Sequence, residues 1–220
     1  MFVKRFLASA LALTLLGTAP AFAVEAEQPE EPAVPYEEEI AGTWYAGAAR
    51  EAYQKGWLDA VEGERFDADT LITRGMAVDA LWRLAGSPMA SISTGYADVE
   101  AENPYHNAID WAWESGVATG VGGGNFGWDR SVTREQLAVM LYRYARTQGQ
   151  GFTGTWMLLL DTADREQVSD WAYESVCWLF MNGVMTGRGK NFTPHGSTTR
   201  AELAVILSRY AALGSATESA

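Results

Sequence analysis

The chain is poor in the residues on which most catalytic and metal chemistry depends. It has one cysteine and two histidines among 220 residues, so no internal disulfide can form and no Cys/His cluster has metal-ligand spacing. His106 and His195 lie far apart in sequence, and no nucleophile motif accompanies either. Asp161, Asp164 and Glu166 come nearest to a hydrolase carboxylate pair, but closely spaced acids ahead of a helix ordinarily cap it or face water. These absences argue against an enzyme, a glycan-active one included, and no cofactor or metal is expected. Positive charge is scarce too. The formal net charge of −12 excludes nucleic acid as a sensible partner.

Long apolar runs are missing except at the start. Lys4 and Arg5 precede an apolar stretch from Phe6 to Leu16 and an Ala21-Phe22-Ala23 cleavage pattern. Residues 1–23 therefore read as an export signal, because the apolar core is shorter than the ~20 residues a membrane-spanning helix needs. Its removal takes away two positive charges and no negative ones, leaving −12 − 2 = −14. Residues 24–42 carry seven glutamates between Glu25 and Glu39, interrupted by Pro29, Pro32 and Pro35. That composition reads as an acidic, disordered linker. Cys177, beside Trp178, Leu179 and Phe180, reads as a buried thiol in an apolar helix.

What the chain does have is repetition. Gly56, Gly116 and Gly183 are each followed nine or ten residues later by Phe66, Phe126 and Phe192, and seven residues beyond these stand Thr73-Arg74, Thr133-Arg134 and Thr199-Arg200. Three copies in register define a repeat protein with units at 43–95, 96–159 and 160–212 and a tail at 213–220. About 170 residues of repeat suffice for one modest core. Each unit reads as helix, loop, helix, which makes the fold class all-α. First helices are expected near Trp44–Lys55, Tyr105–Ser115 and Trp171–Asn182, each stopped by its glycine, and second helices start at the Thr-Arg pairs. Trp82, Trp111 and Trp178 fall at core spacing, whereas Trp128 in the glycine-rich loop is the expected exposed face. Gly122, Gly124 and Gly127 satisfy GxGxxG, but no strand precedes them and no helix opens there, so a dinucleotide site is rejected.

Thr133 with Gln136 and Thr199 with Glu202 have capping-box spacing; copy one has Met76 at the partner position. The arginines need another explanation, since a cation in the first turn of a helix faces the positive end of its dipole. Either an internal carboxylate compensates, with Asp98 and Asp161 as candidates, or an anionic ligand is held by a guanidinium fork beside free helix amides. Both readings remain open on these residues alone.

Tyr96-Ala97-Asp98, the Trp111 helix, Gly116-Val117-Ala118-Thr119-Gly120, Phe126 and Val132-Thr133-Arg134-Glu135-Gln136 resemble the S-layer homology motif of bacterial surface proteins. Copy three is similar, through Asp161, Ser169-Asp170-Trp171-Ala172, Gly183-Val184-Met185-Thr186-Gly187, Phe192-Thr193-Pro194 and Thr199-Arg200-Ala201-Glu202. The resemblance implies three units about a pseudo-threefold axis, with a helical bundle and grooves between neighbours. It implies a secreted protein of the bacterial cell wall or surface that binds secondary cell-wall polysaccharide, often bearing acidic ketal-pyruvate groups. Arg74, Arg134 and Arg200, with Asp98, Asp161, Trp128, Gly120 and Gly187, are the ligand-binding candidates on that basis. Copy one departs from the pattern: it lacks the early aspartate and has Glu62-Gly63-Glu64 in its turn, so its groove is the one expected to have lost function. The alternative is a structural protein that packs against other surface proteins in a lattice.

Overall fold

The computed structural model describes residues 33–153 and 159–218. The expected export signal and the first nine residues of the expected linker, 24–32, lie outside these residues. Seven helices are present among them: α1 (Glu37–Ile40), α2 (Ala46–Gln54), α3 (Arg74–Leu84), α4 (His106–Glu114), α5 (Arg134–Thr147), α6 (Asp170–Met181) and α7 (Arg200–Glu218), with a 3-10 turn at Arg165–Gln167. No strand forms among the described residues; extended backbone makes only isolated bridges. The all-α expectation holds, and α7 runs on through most of what was expected to be a separate tail.

Each first helix ends at its repeat glycine. Gly56, Gly116 and Gly183 have φ of 70°, 73° and 68°, the left-handed conformation that ends a helix at little cost when no Cβ is present. Each second helix begins at its threonine. The hydroxyls of Thr73, Thr133 and Thr199 accept the amides of Met76, Gln136 and Glu202, all at 3.3 Å. Gln136 and Glu202 return a side-chain oxygen to the amides of Thr133 and Thr199, completing the box in copies two and three. Met76 has no oxygen to return, so copy one has half of it.

The copies are tied in a closed cycle. The second helix of each packs on the first helix of the next: α3 on α4, α5 on α6, and α7 on α2. At the centre, three residues that precede the Thr-Arg pairs form a backbone triangle. The amide of Ile72 donates to the carbonyl of Thr198 at 3.0 Å, Thr198 to Val132 at 3.4 Å, and Val132 to Ile72 at 3.1 Å. All three are fully buried, as are Phe66, Phe126 and Phe192. The repeats cannot bury these faces singly, so the cycle is what provides the core. Cys177 is buried within it.

The linker expectation is corrected over its last ten residues. Residues 33–42 are folded: Val34, Tyr36 and Ile40 are buried, Glu37 is paired with Arg50, and the rings of Tyr36 and Phe66 lie 5.3 Å apart. Overall acidity concealed three apolar residues whose burial, with the Glu37–Arg50 pair and the carboxylate of Glu39 on the amides of Phe66 and Asp67, ties the segment to copy one.

Candidate functional site

The three repeat arginines are buried, and each reaches into the next copy. Arg74 donates from Nε to the carbonyl of Phe126 at 3.2 Å and from Nη2 to that of Thr119 at 2.8 Å. Arg134 does the same to Phe192 at 2.9 Å and Thr186 at 2.7 Å. Arg200 closes the ring by donating to Phe66 at 2.7 Å and to the carbonyl of Asp59. Each guanidinium carbon also sits 4.9–5.4 Å from the centre of the same phenylalanine ring. Desolvation pulls all three below the usual arginine pKa.

Within the chain, backbone carbonyls are what hold these arginines. The helix amides beside them are not free: those of Arg74 and Gly75 donate to Arg130 and Trp128, those of Arg134 and Glu135 to Gly196 and Pro194, and those of Arg200 and Ala201 to Thr70 and Ala68. Nor does a carboxylate hold the guanidinium directly in the way expected. Asp98 accepts the amides of Phe126 and Gly127 at 2.7 and 2.6 Å, shaping the loop whose carbonyls take Arg74. In copy three that task falls to Asp164, which accepts the amides of Phe192 and Thr193, both at 2.7 Å, while Asp161 is exposed. Copy one has its acid after all: Glu39, inside the expected linker, accepts the amides of Phe66 and Asp67, both at 2.8 Å. A longer side chain one residue nearer in sequence does the same work, which hid it from motif spacing. Burial raises the pKa of Asp98 and Asp164, but the donated amides outweigh it and leave both carboxyls below the usual value.

Around two of the arginines, matching grooves open on the surface. One, of about 160 Å3, is lined by Arg74 from copy one, by Thr119, Gly120 and Val121 with Gln136, Val139, Met140 and Arg143 from copy two, and by Trp171 from copy three. The other, of about 280 Å3, is lined by Arg134 from copy two, by Thr186, Gly187 and Arg188 with Glu202, Val205, Ile206 and Arg209 from copy three, and by Trp44 from copy one. Position for position the lining is the same, and every groove draws on all three copies. Gly120 and Gly187 are required by close approach, since a Cβ would lie 2.5 Å from the carbonyl of Asn125 in one case and 2.8 Å from that of Asn191 in the other. Trp44 and Trp171 are 70% and 58% exposed, and Arg143 and Arg209 are also exposed. A groove of this kind offers a flat aromatic face beside accessible guanidinium donors.

The grooves differ in their charges. In the larger, Glu202 is bound by Arg188 from Nε at 2.7 Å and lies 3.7 Å from Arg134 Nη1. Burial opposes its ionisation, but Arg188, the amide of Thr199 and Arg134 together hold its pKa below the ordinary glutamate value. Arg209 donates from Nη1 to the hydroxyl of Thr186 at 3.2 Å. Around Arg200 the equivalent positions carry acids. Asp59 stands where Thr119 and Thr186 stand, Asp79 replaces Val139 and Val205, and Ala60 replaces the glycine. Arg83, the counterpart of Arg143 and Arg209, is bonded to Asp59 at 2.7 Å and Asp79 at 2.9 Å.

Trp128 is not the exposed aromatic face. It is half-buried against the core, with its ring 6.0 Å from that of Tyr105. Trp111 and Trp178 are buried as expected, and Trp82 is partly so. Trp44 and Trp171, at the starts of apolar first helices, carry no local signal that separates them from core residues. Their register was nevertheless legible: Trp44 and Trp171 each stand twelve residues before the stop glycine, where copy two has Pro104. The copy-one loop also proves to face Arg200, not Arg74, because each arginine serves the following copy.

Residues 95–138 and 163–204 match the family model of the S-layer homology domain. Those two segments are S-layer homology domains. Similar proteins include the amylopullulanase of Thermoanaerobacterium thermosulfurigenes, 26% identical over 68% of this chain and 8% of that protein. The surface-layer 125 kDa protein of Lysinibacillus sphaericus is 28% identical over 66% of the chain and 11% of its own length. Exoglucanase XynX of Acetivibrio thermocellus is 25% identical over 68% of the chain and 14% of its own length. The chain thus spans a small fraction of each relative. S-layer homology domains are anchoring modules that bind cell-wall polysaccharide, which associates this chain with the bacterial cell surface or wall. The family match covers copies two and three, while copy one shares their arginine-to-loop bonding and contributes Trp44 to the groove between them. Among the described residues no helix is long and apolar enough to cross a membrane.

Proposed function

We propose that the exported chain is a noncatalytic anchor that holds to acidic secondary cell-wall polysaccharide, pyruvylated sugars included, through the grooves of Arg74 and Arg134. The observation that carries this reading is the recurrence, in two grooves each assembled from three copies, of an exposed tryptophan opposite an exposed arginine. A pyranose ring has an apolar face suited to the indole, and a carboxylate on that sugar suits the guanidinium fork of Arg143 or Arg209. The buried arginines hold the groove walls in place, and the close-packed glycines leave room beside them. The pseudo-threefold arrangement implied by the family accounts for the cyclic order of the contacts. Retention on purified wall sacculi, before and after chemical removal of attached polysaccharide, tests the proposal. Binding is expected without any protein partner and is expected to vanish from stripped sacculi; equal retention on both would favour packing in a surface lattice.

A further inference from the structure

Resting on that reading, we infer that the third groove, around Arg200, is closed to acidic sugars by two aspartates of copy one, Asp59 and Asp79, so that the chain presents two acid-accepting grooves. The arginine nine residues into each second helix is the outer cation of its groove: Arg143 and Arg209 are exposed in the two open ones, and Arg83 is half-buried in the third. Arg209 is met across the groove by the neutral hydroxyl of Thr186, which brings no opposing charge. At the same place Asp59 meets Arg83 at 2.7 Å, and Asp79, one helical turn before it, binds its Nε at 2.9 Å. The two acids balance Arg83 and Arg200, and an incoming carboxylate would have to displace an internal one from Arg83 while meeting the charge of both. Two further changes act in the same direction. Ala60 stands where the open grooves have glycine, and copy two supplies Pro104 where the sugar-facing tryptophan would be.

The test is a heteronuclear NMR titration of the exported chain with the methyl glycoside of a hexose bearing a 4,6-O-pyruvate ketal. The backbone amides of Gly120, Gly187 and Ala60 report on one groove each. Gly120 and Gly187 are expected to shift and Ala60 to stay still. Exchanging the acids for their counterparts, Asp59→Thr with Asp79→Val, is expected to make Ala60 respond with an affinity at least about tenfold above the unaltered chain. The reverse exchange, Thr186→Asp with Val205→Asp, is expected to weaken the response at Gly187 by about tenfold or more. A shift of Ala60 in the unaltered chain overturns the inference alone, as does a folded Asp59→Thr/Asp79→Val chain in which Ala60 stays still. Should that variant not fold, the reverse exchange decides, and an unchanged response at Gly187 rejects the role of the acids. Silence of all three amides overturns the proposed function and this inference with it.

Discussion

The Nη2 of Arg134 lies 2.7 Å from the carbonyl oxygen of Thr186, joining the second helix of one repeat to the groove-forming loop of the next. The same guanidinium both lines the groove and holds its wall, so a binding defect in an arginine variant has two possible origins. Arg134→Ala leaves the carbonyls of Phe192 and Thr186 without their donor and is expected to cost about 2–4 kcal/mol of stability. Arg134→Lys, which retains the charge but loses the fork, is expected to fall between that variant and the unaltered chain. Urea unfolding of the three proteins measures this, and unchanged midpoints for Arg134→Ala would contradict the wall-holding role.

Groove-facing residues that are exposed separate binding from folding. Arg143→Ala, Arg209→Ala, Trp44→Ala and Trp171→Ala are each expected to weaken polysaccharide binding about fivefold or more, with melting temperatures almost unchanged. Trp113, 44% exposed but outside both grooves, serves as the control. Calorimetric titration together with thermal melts checks the ranking. Comparable losses from Trp113→Ala would show that aromatic exposure as such, and not the groove, governs binding.

Acid should weaken the loop clamps in a defined window. The folded-state carboxyls of Asp98 and Asp164 lie below the ordinary aspartate value of about 3.9, so their stabilising effect is complete above the unfolded pKa and is lost as pH falls through the folded values. Stability is therefore expected to decline below about pH 4. Asp98→Asn and Asp164→Asn should be less stable at neutral pH and should show a shallower decline under acid. Denaturant midpoints across this range provide the measurement, and a decline as steep as in the unaltered chain would show that other groups drive acid unfolding.

The end of the acidic segment is expected to be indispensable. A chain starting at residue 43 loses buried Val34, Tyr36 and Ile40, together with the carboxylate of Glu39 on the amides of Phe66 and Asp67. The loss is expected to reach about 4 kcal/mol or more relative to a chain starting at residue 33. Circular dichroism melts of the two proteins decide it; equal stability would return residues 33–42 to the role of a spacer.

Much of the fold was legible in the sequence because helix signals are local. The stop glycines at 56, 116 and 183 and the Thr73, Thr133 and Thr199 caps act within a turn of the helix they bound, so spacing alone located them. The incomplete cap of copy one followed equally from Met76. The sequence also determined that three copies exist and that their arginines do equivalent work. Tertiary structure decided what that work is. Whether Arg134 meets an anion, a carboxylate or a carbonyl depends on which loop lies against it, and that loop is 52 residues away in the next copy. The same holds for Glu39, whose two amide partners lie 27 and 28 residues along the chain, and for Trp44 and Trp171, which reach grooves formed by other copies. Closure of the repeats into a cycle creates these neighbours, and periodicity within one copy cannot specify them because the burial that fixes them is shared among all three.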